Sequence, residues 1–195
     1  MIRFLSILLL PALLSCTPQA GLDTSGRGAP APLVYAPEGT LIRLSNTVNG
    51  QVSESRITAG RALGPQGALI RSNGTQGSFY PGCWDCGGGM QIEEALYTAL
   101  WPLETGKIAS FIRTAQDGNK ARVVIRVAGR EQVETPAGSF DTYLLEGRVQ
   151  HLTGPQYEAN VRAWWASDPG WVVKAQGSDS AGTSLASEVV EFIDP

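Results

Sequence analysis

Turn-forming dipeptides between short β-prone runs constrain the fold of this chain more than any other sequence feature. Three of them, Asn49-Gly50, Asn73-Gly74 and Asp117-Gly118, divide or follow such runs. An Asn-Gly or Asp-Gly pair in this setting is a strong hairpin signal, because both turn residues must adopt positive φ. The chain is therefore predicted to consist mainly of antiparallel strands joined by short turns.

The predicted strands extend over most of the chain after residue 39. They alternate with further turn signals, such as Pro136-Ala137-Gly138 and Asp168-Pro169-Gly170, in which proline and glycine supply the required backbone angles. The runs predicted as strands are residues 40–48, 51–58, 68–72, 107–114, 120–127, 140–150, 157–167, 171–176 and 184–193.

Several of these strands carry neighbouring apolar residues. Successive side chains of a strand point to opposite faces, so such neighbours require both faces to be at least partly covered. A closed sandwich, or a concave face that holds an apolar ligand, would satisfy this requirement. We predict a mainly β fold with a single antiparallel curved sheet, a half-barrel, and one short helix. The neighbours are Val123-Val124-Ile125, Leu144-Leu145, Trp164-Trp165, Val172-Val173 and Val189-Val190.

The short helix is predicted over residues 91–100. Apolar residues from Ile92 to Leu100 recur there at spacings of three and four, which is the pattern of one helical face. Glu93 and Glu94 near its start suit the helix dipole. Trp101-Pro102 should end it, because the residue before a proline avoids the helical region.

The C-terminal half resembles a group of bacterial envelope proteins. The residues that carry the resemblance are 134–143, ETPAGSFDTY, and 164–174, WWASDPGWVVK. In that group a Pro-Ala-Gly-Thr-Phe turn joins two strands, and a tryptophan strand leads through a Pro-Gly turn into Leu-Val-Lys. Here Ser139 replaces the threonine and Trp171 the leucine. The resemblance implies a fold related to the β half-barrel of lipoprotein carriers, and it implies no catalytic residues.

The N-terminus has the pattern of a secretory signal. Arg3 precedes an apolar run over residues 4–14, which is too short to span a membrane. The run ends in Leu13-Leu14-Ser15-Cys16, which resembles the lipobox of bacterial lipoproteins. The resemblance implies cleavage after residue 15, acyl chains such as palmitate on Cys16, and attachment to a membrane. Thr17 lacks the aspartate that retains enteric lipoproteins in the inner membrane, so we expect the outer membrane, facing the periplasm.

Residues 16–37 are predicted to form a flexible lipidated tether. Gly, Pro, Ser and Ala dominate this segment, which therefore has little apolar surface to offset the entropy of ordering. Residues 38–195 are predicted to form one β domain, which is long enough to bury an adequate core.

Cys83-Trp84-Asp85-Cys86 is the one constellation that suggests chemistry. A C-x-x-C pair can be redox-active, half a zinc site, or a haem attachment site. Gly87 stands where haem attachment needs histidine, and only His151 remains as a good further zinc ligand. In an exported protein we favour a structural disulfide between Cys83 and Cys86. A thiol–disulfide activity remains the alternative.

Other signals exclude more than they assign. The formal net charge of −3 offers no basic excess for nucleic acid. His151 has no nucleophile signature beside it, and neither a G-x-S-x-G motif nor a P-loop occurs, so we assign no catalytic residue, metal or cofactor. Among the five tryptophans, Trp164, Trp165 and Trp171 are the candidates to line a ligand groove.

Two classes of function therefore remain open. The first is a non-enzymatic binding or envelope-assembly module, anchored to a membrane, that holds an apolar ligand or a protein partner. It rests on the strands with two apolar faces and on the tryptophan content. The second is an extracytoplasmic thiol–disulfide protein that uses Cys83 and Cys86.

Overall fold

The computed structural model describes residues 21–25, 28–63, 68–72, 74–83, 86 and 89–195. Eleven strands and one helix lie within these residues. None of the helical structure described is long and apolar enough to cross a membrane. The elements in chain order are β1 (Leu41–Val48), β2 (Gln51–Ala62), β3 (Ala68–Ser72), β4 (Thr75–Phe79), β5 (Gln91–Ile92), α1 (Glu94–Thr98), β6 (Ile108–Thr114), β7 (Lys120–Thr135), β8 (Gly138–His151), β9 (Glu158–Ala166), β10 (Trp171–Asp179) and β11 (Ser184–Ile193).

All eleven strands belong to one antiparallel sheet that does not close into a barrel. Their order is β4-β3-β2-β1-β11-β10-β9-β8-β7-β6-β5, so each strand pairs with a neighbour in sequence except where β1 meets β11. That pairing joins the two ends of the described domain. The prediction of a mainly β fold, with a single antiparallel sheet and one short helix, is confirmed.

The hairpins occur where the turn dipeptides place them. Asn49 and Gly50 have φ of 50° and 81°, and they connect β1 to β2. The Asn49 side chain also accepts a hydrogen bond from the Ser184 backbone N–H at 2.8 Å, which ties this turn to β11. Gly74 and Gly118 adopt positive φ in the turns β3–β4 and β6–β7. These four residues use the conformations that only glycine and asparagine adopt readily.

The helix is shorter than the apolar spacing predicts. Gln91 and Ile92 pair with β6 as strand β5, and α1 begins only at Glu94. The Glu93 carboxylate accepts a hydrogen bond from the backbone N–H of Ile112 at 2.7 Å, so this residue also belongs to the sheet edge. Pairing with β6 has overridden the helical preference of these first residues.

Neighbouring apolar residues on one strand enter different parts of the core, as predicted. Leu145 and Trp165 belong to the first core cluster, together with residues of α1 and of the segment that follows it. Leu144 and Trp164 belong to the second core cluster, which includes residues of β1, β10 and β11. Both faces of β8 and β9 are therefore covered by protein at these positions.

The second cluster depends on the long hairpin formed by β7 and β8. The tip of this hairpin reaches β11, where the backbone N–H of Ala137 donates to the carbonyl of Val189 at 3.4 Å. A register shift between Val127 and Gly129 interrupts β7 before this tip. Such an irregularity bends a strand and raises its twist, which lets the hairpin end turn toward other strands.

Part of the predicted tether packs against the domain. The backbone of Asp23 exchanges hydrogen bonds with Arg130 at 2.6 and 2.9 Å, and that of Ala31 with Leu103 at 3.1 and 2.7 Å. Ala31 and Ala36 are buried. Composition does not reveal this contact, because small side chains bury little area yet fit where two backbones approach closely. The docked residues thus differ from the flexible tether that composition predicts.

Gly82 fixes the loop after β4 against the sheet, and this predicts a specific cost of substitution. Its φ is +76°, and a Cβ atom there would lie 3.0 Å from Leu145 Cδ1 and 3.3 Å from Ile125 Cγ2. Gly50 has a similar φ of +81° but no atom within 4 Å of such a Cβ. Gly82→Ala and Gly50→Ala therefore share a backbone penalty of about 1 kcal/mol.

We expect Gly82→Ala to lower the free energy of unfolding by about 1–3 kcal/mol more than Gly50→Ala does, since only the former overpacks the core. Denaturant titration of the two variants measures the difference. Equal losses would show that Gly82 is required for its backbone angle alone.

Candidate functional site

An apolar groove of about 280 Å³ lies between the first four strands and strands β9 and β10. Among the described residues of its lining there is no aspartate, glutamate, lysine, arginine or histidine. Ligand sites are typically concave and mostly apolar, with a few placed polar groups, and this groove has that composition. The lining residues are Leu44, Asn46, Ile57, Ile70, Ser78, Phe79, Tyr80, Gly82, Cys83, Val161, Ala163, Trp171, Val172, Ala175 and Ser187.

Strand register explains why the sheet is depressed at this place. Asn46 pairs with Ser187, Ser187 with Ala175, and Ala175 with Ala163. Paired residues on antiparallel strands point to the same face, so these four side chains form a row across β1, β11, β10 and β9. All four are small or of medium size, and the row leaves space above the sheet that larger side chains would fill.

Two aromatic rings form one side of the groove. Phe79 of β4 stacks on Trp171 of β10, with ring centroids 4.1 Å apart and an interplanar angle of 19°. β4 is the edge strand of the sheet, so this stack holds that edge against β10. Trp171 is buried, and it shows one surface to the groove.

A disulfide lies at the edge of the same groove. Cys83 and Cys86 form this bond, and their Cα atoms are 5.5 Å apart. Cys83 lines the groove but is only 7% exposed, and Cys86 is fully buried. Trp84 and Asp85 lie outside the described residues. Both cysteines are largely shielded from solvent, which does not favour exchange of this bond with a partner in solution.

The three candidate tryptophans do not lie together. Trp171 lines the groove. Trp165 is fully buried in the first core cluster, where it packs edge-to-face against Trp101 at 5.5 Å. Trp164 lies in the second cluster, and its indole N–H donates to the carboxylate of Glu131. Trp164 and Trp165 are adjacent on β9, so their side chains point to opposite faces of the sheet.

His151 makes contacts that fit a structural role. Its Nε2 lies 3.1 Å from an Arg113 guanidinium nitrogen, and its Nδ1 lies 3.1 Å from the carbonyl of Pro155. Arginine can only donate, so Nε2 accepts and Nδ1 donates. Both ring nitrogens are thereby engaged. Within the described part of the chain, no group of histidine, cysteine and carboxylate side chains could hold a metal ion.

An aromatic cluster around Tyr97 of α1 contains a strongly perturbed titratable group. Tyr97 is fully buried, and its ring packs edge-to-face against Tyr80 at 5.6 Å and Phe111 at 5.7 Å. Its hydroxyl donates to the Pro81 carbonyl at 3.3 Å. Burial raises the pKa of Tyr97 well above its ordinary value, because the phenolate would be poorly solvated there.

Sequence reasoning identified Trp171 and Cys83 but not most of the groove. No sequence pattern marks Ala163, Ala175 or Ser187 as a binding residue. Asn46 looks like any other polar residue of a strand. Their role comes from register between strands distant in sequence. Phe79 ends β4, which is not among the strands predicted from the sequence.

No protein-family model matches the chain, and no curated protein is significantly similar to it. Solved structures do match the chain. A protein from Bacteroides fragilis NCTC 9343, named as an exported protein with a YmcC-like fold, has 13% identity and a TM-score of 0.51 over 84% of this chain and 100% of that one. This likeness shows that the chain has the YmcC-like fold.

Two further matches are named as lipoproteins. One, from Parabacteroides distasonis ATCC 8503, has 13% identity and a TM-score of 0.48, covering 85% of this chain and 100% of its own. The other, the hypothetical lipoprotein YmcC from Escherichia coli K12, has 12% identity and a TM-score of 0.48, covering 83% and 90%.

The raised pKa of Tyr97 predicts a loss of stability in alkali. The unfolded chain releases this proton near pH 10, whereas the folded protein retains it. The stabilisation is therefore fully present below about pH 10 and is lost as the pH rises above it, at roughly 1.4 kcal/mol per pH unit for one proton. Tyr97→Phe has no proton to lose.

We expect the free energy of unfolding to fall less steeply for Tyr97→Phe than for the wild type above about pH 10. Urea titrations over a series of pH values measure both slopes. Below pH 9 the two curves should run parallel, which provides the internal control. Parallel curves at high pH as well would contradict the burial argument.

Proposed function

We propose that this chain is a bacterial envelope lipoprotein, anchored through lipid on Cys16, whose β domain holds an apolar ligand in the groove beside Phe79 and Trp171. The role is one of binding and not of catalysis. The observation that carries the proposal is the uncharged apolar lining of the groove. Within the described lining the titratable side chain is Tyr80, and burial raises the pKa of its phenol, so the lining offers no base for proton transfer near neutral pH.

The anchor rests on the sequence. Arg3, the apolar run and Cys16 lie outside the described residues, so their support is the lipobox pattern. A protein with the same fold is named as exported, which agrees with a secretory signal. Two or more acyl chains on one cysteine give stable membrane attachment where one chain does not. Thr17 directs the proposal to the outer membrane, with the domain in the periplasm.

An apolar ligand fits the groove better than a redox function fits the disulfide. Cys86 is fully buried and Cys83 nearly so. A reactive cysteine must be partly exposed and lie in an electropositive environment. The groove offers neither a lysine nor an arginine beside Cys83. Burying apolar ligand surface in the groove is favourable by about 25 cal/mol per Å².

Lipidation should require Cys16 alone, because Cys83 and Cys86 are bonded to each other in the domain. We expect Cys16→Ser to abolish incorporation of a clickable fatty acid and to release the protein from the membrane pellet. Cys83→Ser/Cys86→Ser is the matched control and should retain label. Label on the Cys16→Ser protein would contradict the anchor. Sedimentation of the wild type with the inner membrane would contradict only the sorting inference.

Filling the groove should abolish ligand binding. Ala175 lies at the centre of the row of small residues, and Ala175→Leu places extra volume in the cavity. Gln176→Leu is the control, because that side chain is exposed and points to the opposite face. Binding of the neutral fluorophore N-phenyl-1-naphthylamine to the unlipidated Cys16→Ser protein measures the effect.

We expect Ala175→Leu to weaken fluorophore binding by about tenfold or more, and Gln176→Leu to leave it near the reference level. Thermal melting establishes that each variant is folded, and Ala163→Leu, in the adjacent strand, provides a second filled groove. If the reference protein binds no apolar probe, the groove is no ligand site, and a protein partner becomes the better reading of this surface.

A further inference from the structure

The polarity of the groove changes along its floor. Ala163 and Ala175 lie toward β9 and β10, whereas Ser187 and Asn46 lie toward β11 and β1. The apolar half is also where Phe79 and Trp171 stack. This row of four residues therefore has an apolar end and a polar end, and the described part of the lining carries no charged side chain.

From this arrangement we propose that the ligand is a single-chain amphiphile with an uncharged head group. Its hydrocarbon chain lies over Ala163 and Ala175 beside Trp171, and its head group lies at Asn46 and Ser187. The inference rests on the proposed function, since it names the class of ligand that the same groove holds.

The uncharged lining described for the groove favours an uncharged head group on the ligand. An ionised carboxylate, phosphate or ammonium would lose hydration on entering the groove and would meet no charged side chain among the described lining residues. Burying an unpaired charge is far more costly than burying a hydrogen-bonded neutral group. An alcohol, ester or amide avoids that cost.

The polar end can pair with such a head group. The Asn46 side-chain amide donates to Ser55 Oγ at 2.9 Å, which uses one of its two N–H groups. Its other N–H and its carbonyl oxygen can bond a ligand hydroxyl or ester. Ser187, directly opposite Asn46 in the ladder, adds a hydroxyl that both donates and accepts.

The volume of the groove is sufficient for one hydrocarbon chain of the ligand. A cavity of about 150 Å³ accepts a benzene molecule, so about 280 Å³ accommodates roughly ten to twelve carbon atoms. That is one medium-length acyl chain. Two such chains, or a fused ring system with long substituents, exceed the space.

The test compares dodecyl compounds that differ only in the head group. Monododecanoylglycerol, dodecanoate and dodecyltrimethylammonium, each below its micelle concentration at pH 8, compete with N-phenyl-1-naphthylamine on the Cys16→Ser protein. We expect the neutral glyceride to bind at least about tenfold more tightly than either ion. Didodecanoylglycerol, with two chains, should compete weakly.

Asn46→Leu tests the orientation. We expect it to reduce the preference for the glyceride over the ions by about fivefold or more while the fluorophore still binds. Thr47→Leu is the matched control, because Thr47 is adjacent on β1 and points to the other face. It should leave the preference unchanged.

The outcomes separate the two proposals. If no dodecyl compound and no fluorophore binds, the proposed function fails. If the fluorophore binds but the ions compete as well as the glyceride does, the groove is a ligand site and the neutral head group is wrong. If the preference is present and Asn46→Leu does not alter it, the assignment of Asn46 to the head group is overturned.

Discussion

The pairing of β1 with β11 is the contact on which the architecture depends. Leu41 lies opposite Ile193 and Val48 opposite Leu185, so the start and the end of the domain form one ladder. Arg43 reinforces it with a 2.7 Å ion pair to Glu191. Without this ladder, the hairpins of β1–β4 would have no hydrogen-bonded strand pairing to the rest of the sheet. The groove would then lose Leu44 and Asn46 on one side and Phe79 on another.

Pairing β1 with β11 closes a loop that contains all the other strands, and this closure is entropically costly. Surface buried afterwards must offset the cost. The second core cluster supplies that burial, because Ile42 and Val189 are fully buried against residues of β8, β9 and β10. The cluster becomes complete only when the tip of the β7–β8 hairpin reaches Val189. Local hairpins form at small entropic cost, whereas this cluster needs elements from three parts of the chain.

The features that could be predicted from the sequence are those that depend on local chemistry. Asn49-Gly50 specifies its turn through backbone angles, and Trp164-Trp165 indicates two covered faces through strand alternation. The site depends on register between strands far apart in sequence. Ala163, Ala175 and Ser187 become the floor of a groove only because β9, β10 and β11 align them. Nothing in their own neighbourhoods signals that alignment, just as nothing near Ile92 signals its partner on β6.

The two faces of the central strands differ in chemistry, and this suits the binding of an uncharged ligand that we propose. Arg162 and Gln176 lie opposite one another on the exposed face, with Glu146 beside Arg162. Their immediate neighbours Ala163 and Ala175 form the floor of the groove. Charged side chains on the exposed face favour hydration of the domain, while a neutral chain in the proposed site would meet no charged side chain among the described lining residues. Alternation along one strand thus places polar side chains on one face and groove residues on the other. A one-residue register shift in β10 would exchange these two faces.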